Sequence, residues 1–261
     1  MYVLKHRFKD IIYGTCWFIT GCRHNGVRVL LLYHSIGTSV PLSIPTHEFE
    51  RQIFYLHKNF RIVRLRDLPE VIAGALQDEA IACITFDDGL LDNYENALPI
   101  LENYGVKASF FIPTGSIGKT HRAFYGDQKC MSAGQLRELV SLGHEIGAHT
   151  VTHPKLTTVP LAQSRQEIAE SKSRLEDLVS ESVISFAYPK GGYNNEVKQL
   201  VRESGFRYAA TIREALVDKA LIDWLALPRV WINPMMGWGV QFRAKLSPAL
   251  RLYERLRGRG H

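Results

Sequence analysis

Short apolar runs alternate with longer amphipathic segments through most of the 261-residue chain. Runs rich in Val, Ile, Leu and Phe predict buried strands, whereas apolar residues at three- and four-residue spacing predict helices. The predicted strands cover residues 27–33, 60–63, 81–85, 107–112, 145–148, 183–188, 208–212 and 227–232. The predicted helices cover residues 46–58, 65–75, 92–104, 132–142, 161–179, 193–204 and 244–257, and residues 115–130 are expected to form an irregular loop. This alternation favours an α/β fold with parallel strands, either a barrel or an open sheet.

Several predicted strands end in a side chain that can do chemistry. His34 follows the first strand, the adjacent acids Asp87 and Asp88 follow the third, His149 follows residues 145–148, and Tyr188 ends the strand at 183–188. In a parallel barrel the carboxyl ends of all strands meet at one rim, where catalytic residues of such folds are found. The sequence therefore predicts one site that gathers these side chains.

Composition describes an ordinary globular protein, with 46% hydrophobic and 22% charged residues. The net charge of +6 is concentrated at the two ends, because residues 1–30 carry +4, residues 229–261 carry +6, and the remainder carries −4. Basic ends suit an anionic membrane surface or an anionic lipid carrier as well as nucleic acid, although a solvated basic tail without a partner is the more ordinary explanation. The four cysteines form no CxxC pair and indicate no framework of disulfides.

The apolar run at residues 11–20 (IIYGTCWFIT) follows three basic residues, Lys5, Arg7 and Lys9, as a signal peptide would. It is shorter than the roughly 20 residues needed to span a bilayer, and no small-residue cleavage site follows it. We interpret it as an interfacial or packed helix, with an uncleaved anchor as the alternative. Three segments are expected: residues 1–26 as an N-terminal segment, 27–232 as the catalytic domain and 233–261 as a basic C-terminal helix and tail.

His149 and His153 lie four residues apart in HTVTH, and with a carboxylate from another strand end they form a ligand set suited to a divalent ion such as zinc. Two histidines at this spacing are common by chance, and the adjacent acids strengthen the interpretation. One acid could bind the ion while the other stays available as a base. No nucleophile elbow, phosphate-binding loop or dinucleotide fingerprint is present in the sequence.

Residues 85–89 (TFDDG) together with residues 149–153 (HTVTH) resemble the first two motifs of the polysaccharide deacetylase family, also called the NodB-homology domain. The resemblance extends over residues 27–232. It implies a distorted (β/α) barrel of about seven parallel strands. It also implies a metal ion bound by Asp88, His149 and His153, and Asp87 as the general base.

Two other motifs of the family are altered. Residues 186–191 (FAYPKG) resemble the third motif, which implies that the backbone N–H of Tyr188 helps to hold the oxyanion, but the preceding arginine is absent. Arg229 is the candidate substitute, and a structural ion pair is the alternative for it. The Leu-x-His motif that carries the general acid is absent from the C-terminal half, whereas residues 32–34 (LYH) have its form. Some exopolysaccharide-modifying members look circularly permuted in this way, which makes His34 the candidate acid.

The resemblance implies a zinc-dependent hydrolase that removes N-acetyl groups from the amino sugars of a glycan, with a polysaccharide or lipid-linked saccharide as substrate. A glycan-binding relic that lost turnover with the arginine, and a lipid-linked sugar deformylase, are the alternatives. We expect no nucleic-acid partner. The expected location is the bacterial cytoplasm or, peripherally, the inner membrane face.

Overall fold

The computed structural model describes residues 12–21, 23–38, 43–123, 126–236 and 239–256. Its centre is a parallel sheet, whose strands are β1 (Arg28–Tyr33), β2 (Arg61–Ile62), β3 (Ile81–Phe86), β4 (Ser109–Ile112), β7 (Glu145–Ala148), β8 (Ser185–Ala187), β9 (Tyr208–Ala210) and β10 (Val230–Trp231). Neighbouring strands follow the order β10-β1-β3-β4-β7-β8-β9, with the short β2 paired to β3. Each predicted strand is present, and the predicted α/β class is confirmed.

The two edges of the sheet meet at residues 227–232, which we call the closing segment. On one side the N–H of Leu227 donates to the carbonyl of Ala209 at 2.8 Å, and the N–H of Thr211 donates back to Leu227 at 2.8 Å. On the other side the N–H of Ile232 donates to the carbonyl of Leu32 at 3.0 Å. The sheet therefore curls into the predicted distorted barrel, with β1 and β9 separated by this one segment.

Helices connect the strands and cover the outside of the sheet. They are α1 (residues 12–19), α2 (Thr46–Asn59), α3 (Leu68–Gly74), α4 (Leu98–Asn103), α5 (Ala133–Ser141), α6 (Leu161–Val179), α7 (Asn195–Glu203), α8 (Val240–Lys245) and α9 (Ala249–Leu256). Ser132 begins α5 with a capping box, because its hydroxyl accepts from the N–H of Gln135 and the Gln135 side chain accepts from the N–H of Ser132.

Alternate residues of the strands pack into two apolar clusters. In β1, Val29, Leu31 and Tyr33 belong to the larger cluster between the sheet and the helices. Leu30 belongs to the smaller cluster inside the barrel, together with Cys83 of β3. Side chains alternate sides along a strand, so every second residue after Leu30 and Cys83 is on the inward side. At the carboxyl ends of the strands, these inward positions face the mouth of the barrel.

Three segments differ from the prediction. The expected irregular loop contains a hairpin of β5 (Thr120–Ala123) and β6 (Gly126–Lys129). The helix after Asp92 begins as one π-helical stretch, Asn93–Ala97, before Pro99, which has no N–H for a regular helical bond. The single helix predicted at 244–257 is two helices, α8 and α9, interrupted before Pro248 for the same reason.

The N-terminal apolar run forms the helix at residues 12–19, which packs on α9. Tyr13 stacks on Tyr253 with ring centroids 4.2 Å apart, and Cys16 is buried, whereas Phe18 and Ile19 are exposed. Within the described part of the chain, no helix has the length and apolar character required to cross a membrane. The basic residues at 5–9 and 257–259 lie outside the described residues, so the membrane role of the two ends stays a prediction.

Candidate active site

Asp88, His149 and His153 lie together at the carboxyl ends of β3 and β7. One ligand atom from each lies within 4.8 Å of the other two. The Asp88 Oδ1 atom is 3.4 Å from His153 Nε2 and 3.7 Å from His149 Nε2, and the two imidazole Nε2 atoms are 3.1 Å apart. The backbone at Asp88 and His153 is left-handed, with φ of 71° and 61°, so the chain turns sharply at both positions. The three side chains thus converge on one point.

The chemistry of this donor set fits a divalent metal ion. His149 Nδ1 lies 2.7 Å from the carbonyl of Ala187, which can only accept, so Nδ1 carries the proton and Nε2 offers its lone pair to the centre. Asp88 Oδ1 is buried and accepts no hydrogen bond among the described residues. Burial and the adjacent Asp87 carboxylate raise the pKa of Asp88 to about 7. A cation at this point would supply the countercharge that Asp88 lacks.

The loop that carries the two histidines is held from α6. Glu167, on that helix, accepts from the backbone N–H groups of Val151 and Thr152 at 2.8 Å each, and from the Thr152 hydroxyl at 2.6 Å. Gly115 approaches the same loop so closely that a Cβ there would lie 2.7 Å from the Val151 carbonyl oxygen. The histidine pair is therefore fixed by contacts on both sides rather than by its own short sequence.

Asp87 lies beside the candidate metal ligands and is bound by Arg229 of the closing segment. The guanidinium donates from two nitrogens to the two Asp87 oxygens at 2.7 Å each, and a third nitrogen donates to the Thr211 carbonyl at 2.8 Å. Arg229 is completely buried. Burial alone would raise the pKa of Asp87, but the charge and hydrogen bonds of Arg229 hold it below its ordinary value. The fork thus keeps the Asp87 carboxylate ionised and fixed in orientation.

His34 is brought to the same rim by β1, which pairs with β3 and β10. The amide of Asn93 donates to the His34 carbonyl at 2.6 Å, so the π-helical turn after the acid pair also holds the loop of His34. Burial lowers the pKa of His34 to about 4, while the Asp87 charge opposes this fall and Arg229 reinforces it. His34 therefore lies within the electrostatic field of Asp87 and is neutral at pH 7.

The geometry at Tyr188 does not allow the role predicted for it. Its backbone N–H donates to the Ala210 carbonyl at 3.0 Å, within the pairing of β8 and β9, and so cannot hold an oxyanion. Its side chain is buried, and the hydroxyl donates to the Leu225 carbonyl at 2.8 Å. Burial, with Asp223 nearby, raises the pKa of Tyr188 to about 13. Tyr188 is thus a packing residue under the rim.

Two residues of the site arrangement had no signal in the sequence. Glu167 is one of many polar positions of the long helix α6, and Asn93 is one of several polar residues after the acid pair. Each acts through backbone groups that are distant in the chain, which no spacing rule reveals. The one cue for Glu167 is that this acid falls on the buried face of the amphipathic helix α6, where an ionisable residue is unusual.

The fold and the site together define a class of protein: the chain belongs to the polysaccharide deacetylase family. The family profile of that name matches residues 75–209. The Bacillus subtilis (strain 168) protein YxkH, whose name places it among the polysaccharide deacetylases, is 30% identical over 210 residues, which are 80% of this chain and 72% of that protein.

Further relatives have names that specify a substrate. The poly-β-1,6-N-acetyl-D-glucosamine N-deacetylase of Staphylococcus aureus (strain MSSA476) is 25% identical over 73% of this chain and 68% of its own length.

Among solved structures, IcaB from Ammonifex degensii has a TM-score of 0.75 at 25% identity, covering 85% of this chain and 98% of that one. The Streptococcus pyogenes deacetylase PplD has the same fold, with a TM-score of 0.75 at 24% identity over 86% of this chain and 100% of its own.

Proposed function

We propose that this chain is a metal-dependent hydrolase that removes N-acetyl groups from the amino sugars of a glycan. The observation that carries the proposal is the convergence of Asp88, His149 and His153 beside an ionised Asp87. Membership of the polysaccharide deacetylase family and the resemblance to named N-deacetylases support the reaction class. The ion is expected to be zinc, because two imidazoles and one carboxylate form a typical catalytic zinc set that leaves a coordination position open.

Each residue near the centre has a task in amide hydrolysis. Asp88, His149 and His153 would hold the ion, which when bound lowers the pKa of a water molecule and polarises the acetamide carbonyl. Asp87 takes the proton of the attacking water. Arg229 holds the carboxylate in the orientation for that transfer. Because the N–H of Tyr188 is already bonded, it plays no part in stabilising the oxyanion.

His34 is proposed as the group that protonates the departing amine. Its pKa of about 4 means that the free protein holds it neutral at pH 7. The proton it gives to the amine therefore has to reach it during the cycle, and Asp87 is the neighbouring group that has just gained one. This proposal removes the need for a permanently charged imidazole beside Arg229.

The alternative of a glycan-binding relic rested on the missing arginine of the third motif. Arg229 supplies a guanidinium to Asp87 from the closing segment, so the catalytic reading is favoured. Polymeric and lipid-linked glycans, and formyl in place of acetyl groups, remain within the proposal. Association with the inner membrane face is the part supported only by the basic ends, and binding to anionic vesicles by the full chain and by a chain lacking residues 1–11 tests it.

The proposal is tested by acetate release from N-acetylglucosamine oligosaccharides, measured with metal content. The zinc-loaded chain should release acetate, chelation should stop it, and Asp88→Asn or His149→Ala should lose both the metal and the activity. Glu170→Gln, at a half-buried position of α6 that pairs with Arg174 rather than with the histidine loop, is the matched control and should retain both. Full activity in the Asp88 or His149 variants would contradict the proposed site.

A further inference from the structure

The closing segment directs one large aromatic side chain to the mouth of the barrel. Val230 and Ile232 pack in the outer apolar cluster, whereas Leu227 packs inside the barrel. Arg229, in the same inward series as Leu227, reaches Asp87. Trp231 continues this series, because residues two apart on a strand share a face. It is 39% exposed, although Val230 and Ile232 on either side of it are buried.

A second exposed apolar side chain lies on the other side of Arg229. The N–H of Arg229 donates to the carbonyl of Arg213 at 3.0 Å. Ile212 directly precedes Arg213, so it lies at the same level of the rim as Arg229. Ile212 is 49% exposed and lies against Gly191, where a Cβ would collide with it. Ile212 and Trp231 together form what we call the apolar lip.

We infer that the apolar lip binds a pyranose ring of the glycan adjacent to the sugar whose acetamide reacts, with the C–H face of that ring on the Trp231 indole. This inference rests on the proposed function and adds a subsite to it. A pyranose carries its hydroxyls around its edge and C–H groups on its faces, so it matches a flat apolar surface bordered by polar groups.

The position of the lip favours this occupant over others. Trp231 is two residues from Arg229, which spans roughly 7 Å along a strand, and Arg229 binds the proposed base. A ring on the lip would therefore lie about one sugar away from the reacting acetamide. An exposed aromatic side chain at the mouth that holds the proposed base is placed to contact the substrate bound there, whereas a protein partner on it would cover that mouth.

The test compares Trp231→Ala and Trp231→Phe with a matched control, Leu221→Ala, which truncates a leucine that is 78% exposed on a loop after β9. The probes are N-acetylglucosamine and its β-1,6- and β-1,4-linked tetrasaccharides. We expect Trp231→Ala to raise KM for a tetrasaccharide about tenfold, while Trp231→Phe changes it less than about threefold because a ring face remains. Turnover at saturation, metal content and reaction with the monosaccharide should stay unchanged, as should every property of the control.

Equilibrium binding separates failure of the inference from failure of the proposed function. Calorimetry with a tetrasaccharide on the Asp87→Asn variant should give a Kd about tenfold weaker when Trp231→Ala is added. If the unmodified chain releases no acetate but binds the tetrasaccharide through Trp231, the function is wrong and the lip stands. The inference would be overturned if Trp231→Ala left KM and Kd for the tetrasaccharide unchanged. It would also be overturned if that substitution impaired the reactions of the monosaccharide and the tetrasaccharide equally, or if the unmodified chain did not bind the tetrasaccharide.

Discussion

Replacing Arg229 by methionine keeps the length of the side chain but removes its charge and donors. The guanidinium is completely buried and donates to both Asp87 oxygens at 2.7 Å, to the Thr211 carbonyl at 2.8 Å and to the Thr85 hydroxyl at 3.1 Å. In Arg229→Met the Asp87 carboxylate stays buried without its partner. Breaking one side of a buried ion pair costs about 3–5 kcal/mol, which exceeds the roughly 1 kcal/mol of a single neutral hydrogen bond.

The assay is urea-induced unfolding at pH 7, with acetate release measured in parallel. The free energy of unfolding should fall by about 3–5 kcal/mol, and turnover should fall by roughly a hundredfold or more because the base is no longer oriented. Arg64→Met is the matched control. Arg64 also binds an aspartate through two nitrogens, donating to Asp67 at 2.6 and 3.1 Å, but both side chains are about one third exposed. Its loss should stay below about 1 kcal/mol.

A second substitution distinguishes an unpaired charge from simple loss of packing. Adding Asp87→Asn to Arg229→Met removes the buried charge and should restore a large part of the lost stability, although not the activity. Recovery of this kind identifies the unpaired carboxylate as the cause. A loss below about 1 kcal/mol in Arg229→Met, or no recovery in the double variant, would refute the reasoning.

Two further predictions concern groups around the centre, and a third concerns the buried acid at the start of β7. Glu167→Ala should weaken zinc affinity about tenfold or more by freeing the histidine loop, while Glu170→Ala leaves it unchanged, as measured by competition with a chelator. His34→Ala should lower turnover by roughly a hundredfold or more with zinc still bound, and loss of zinc would instead make His34 a ligand. Burial raises the pKa of Glu145 above its ordinary 4.5. Ionisation of Glu145 should therefore make the unmodified chain lose stability relative to Glu145→Gln as the pH rises from 4.5 to 7. The same difference between the urea midpoints of the two proteins at both pH values would contradict this.

The strands and their parallel arrangement could be predicted because each one is a local apolar run. The buried strand before Asp87 has no alternation that an exposed strand would show, and its burial on both faces agrees with that pattern. The hairpin of β5 and β6 was missed because its mostly polar sequence leaves no periodic apolar signal. Local pattern thus identifies elements that build the core and misses those that lie on its surface.

The convergence of the three candidate metal ligands could be predicted because they belong to two short motifs. The pairing of Asp87 with Arg229 could be proposed only as one of two alternatives, since it depends on how the closing segment returns to β1 and β9. The role assigned to the N–H of Tyr188 failed because strand pairing, which single residues do not reveal, already uses that group. The sequence alone therefore does not reveal which acceptor each backbone N–H group binds.

The closing segment also sets the order in which the active site can form during synthesis. Asp87 and Arg229 are separated by 142 positions. At translation rates of about 5–20 residues per second, the acid waits roughly 7–28 s before its partner leaves the ribosome. Until then β1 lacks the segment that pairs with its outer edge, and β9, which ends at Ala210, lacks the same partner as soon as it has been made. The nascent chain is thus exposed to mispairing throughout that interval, and its productive yield in the cell should depend on chaperones that shield strand edges.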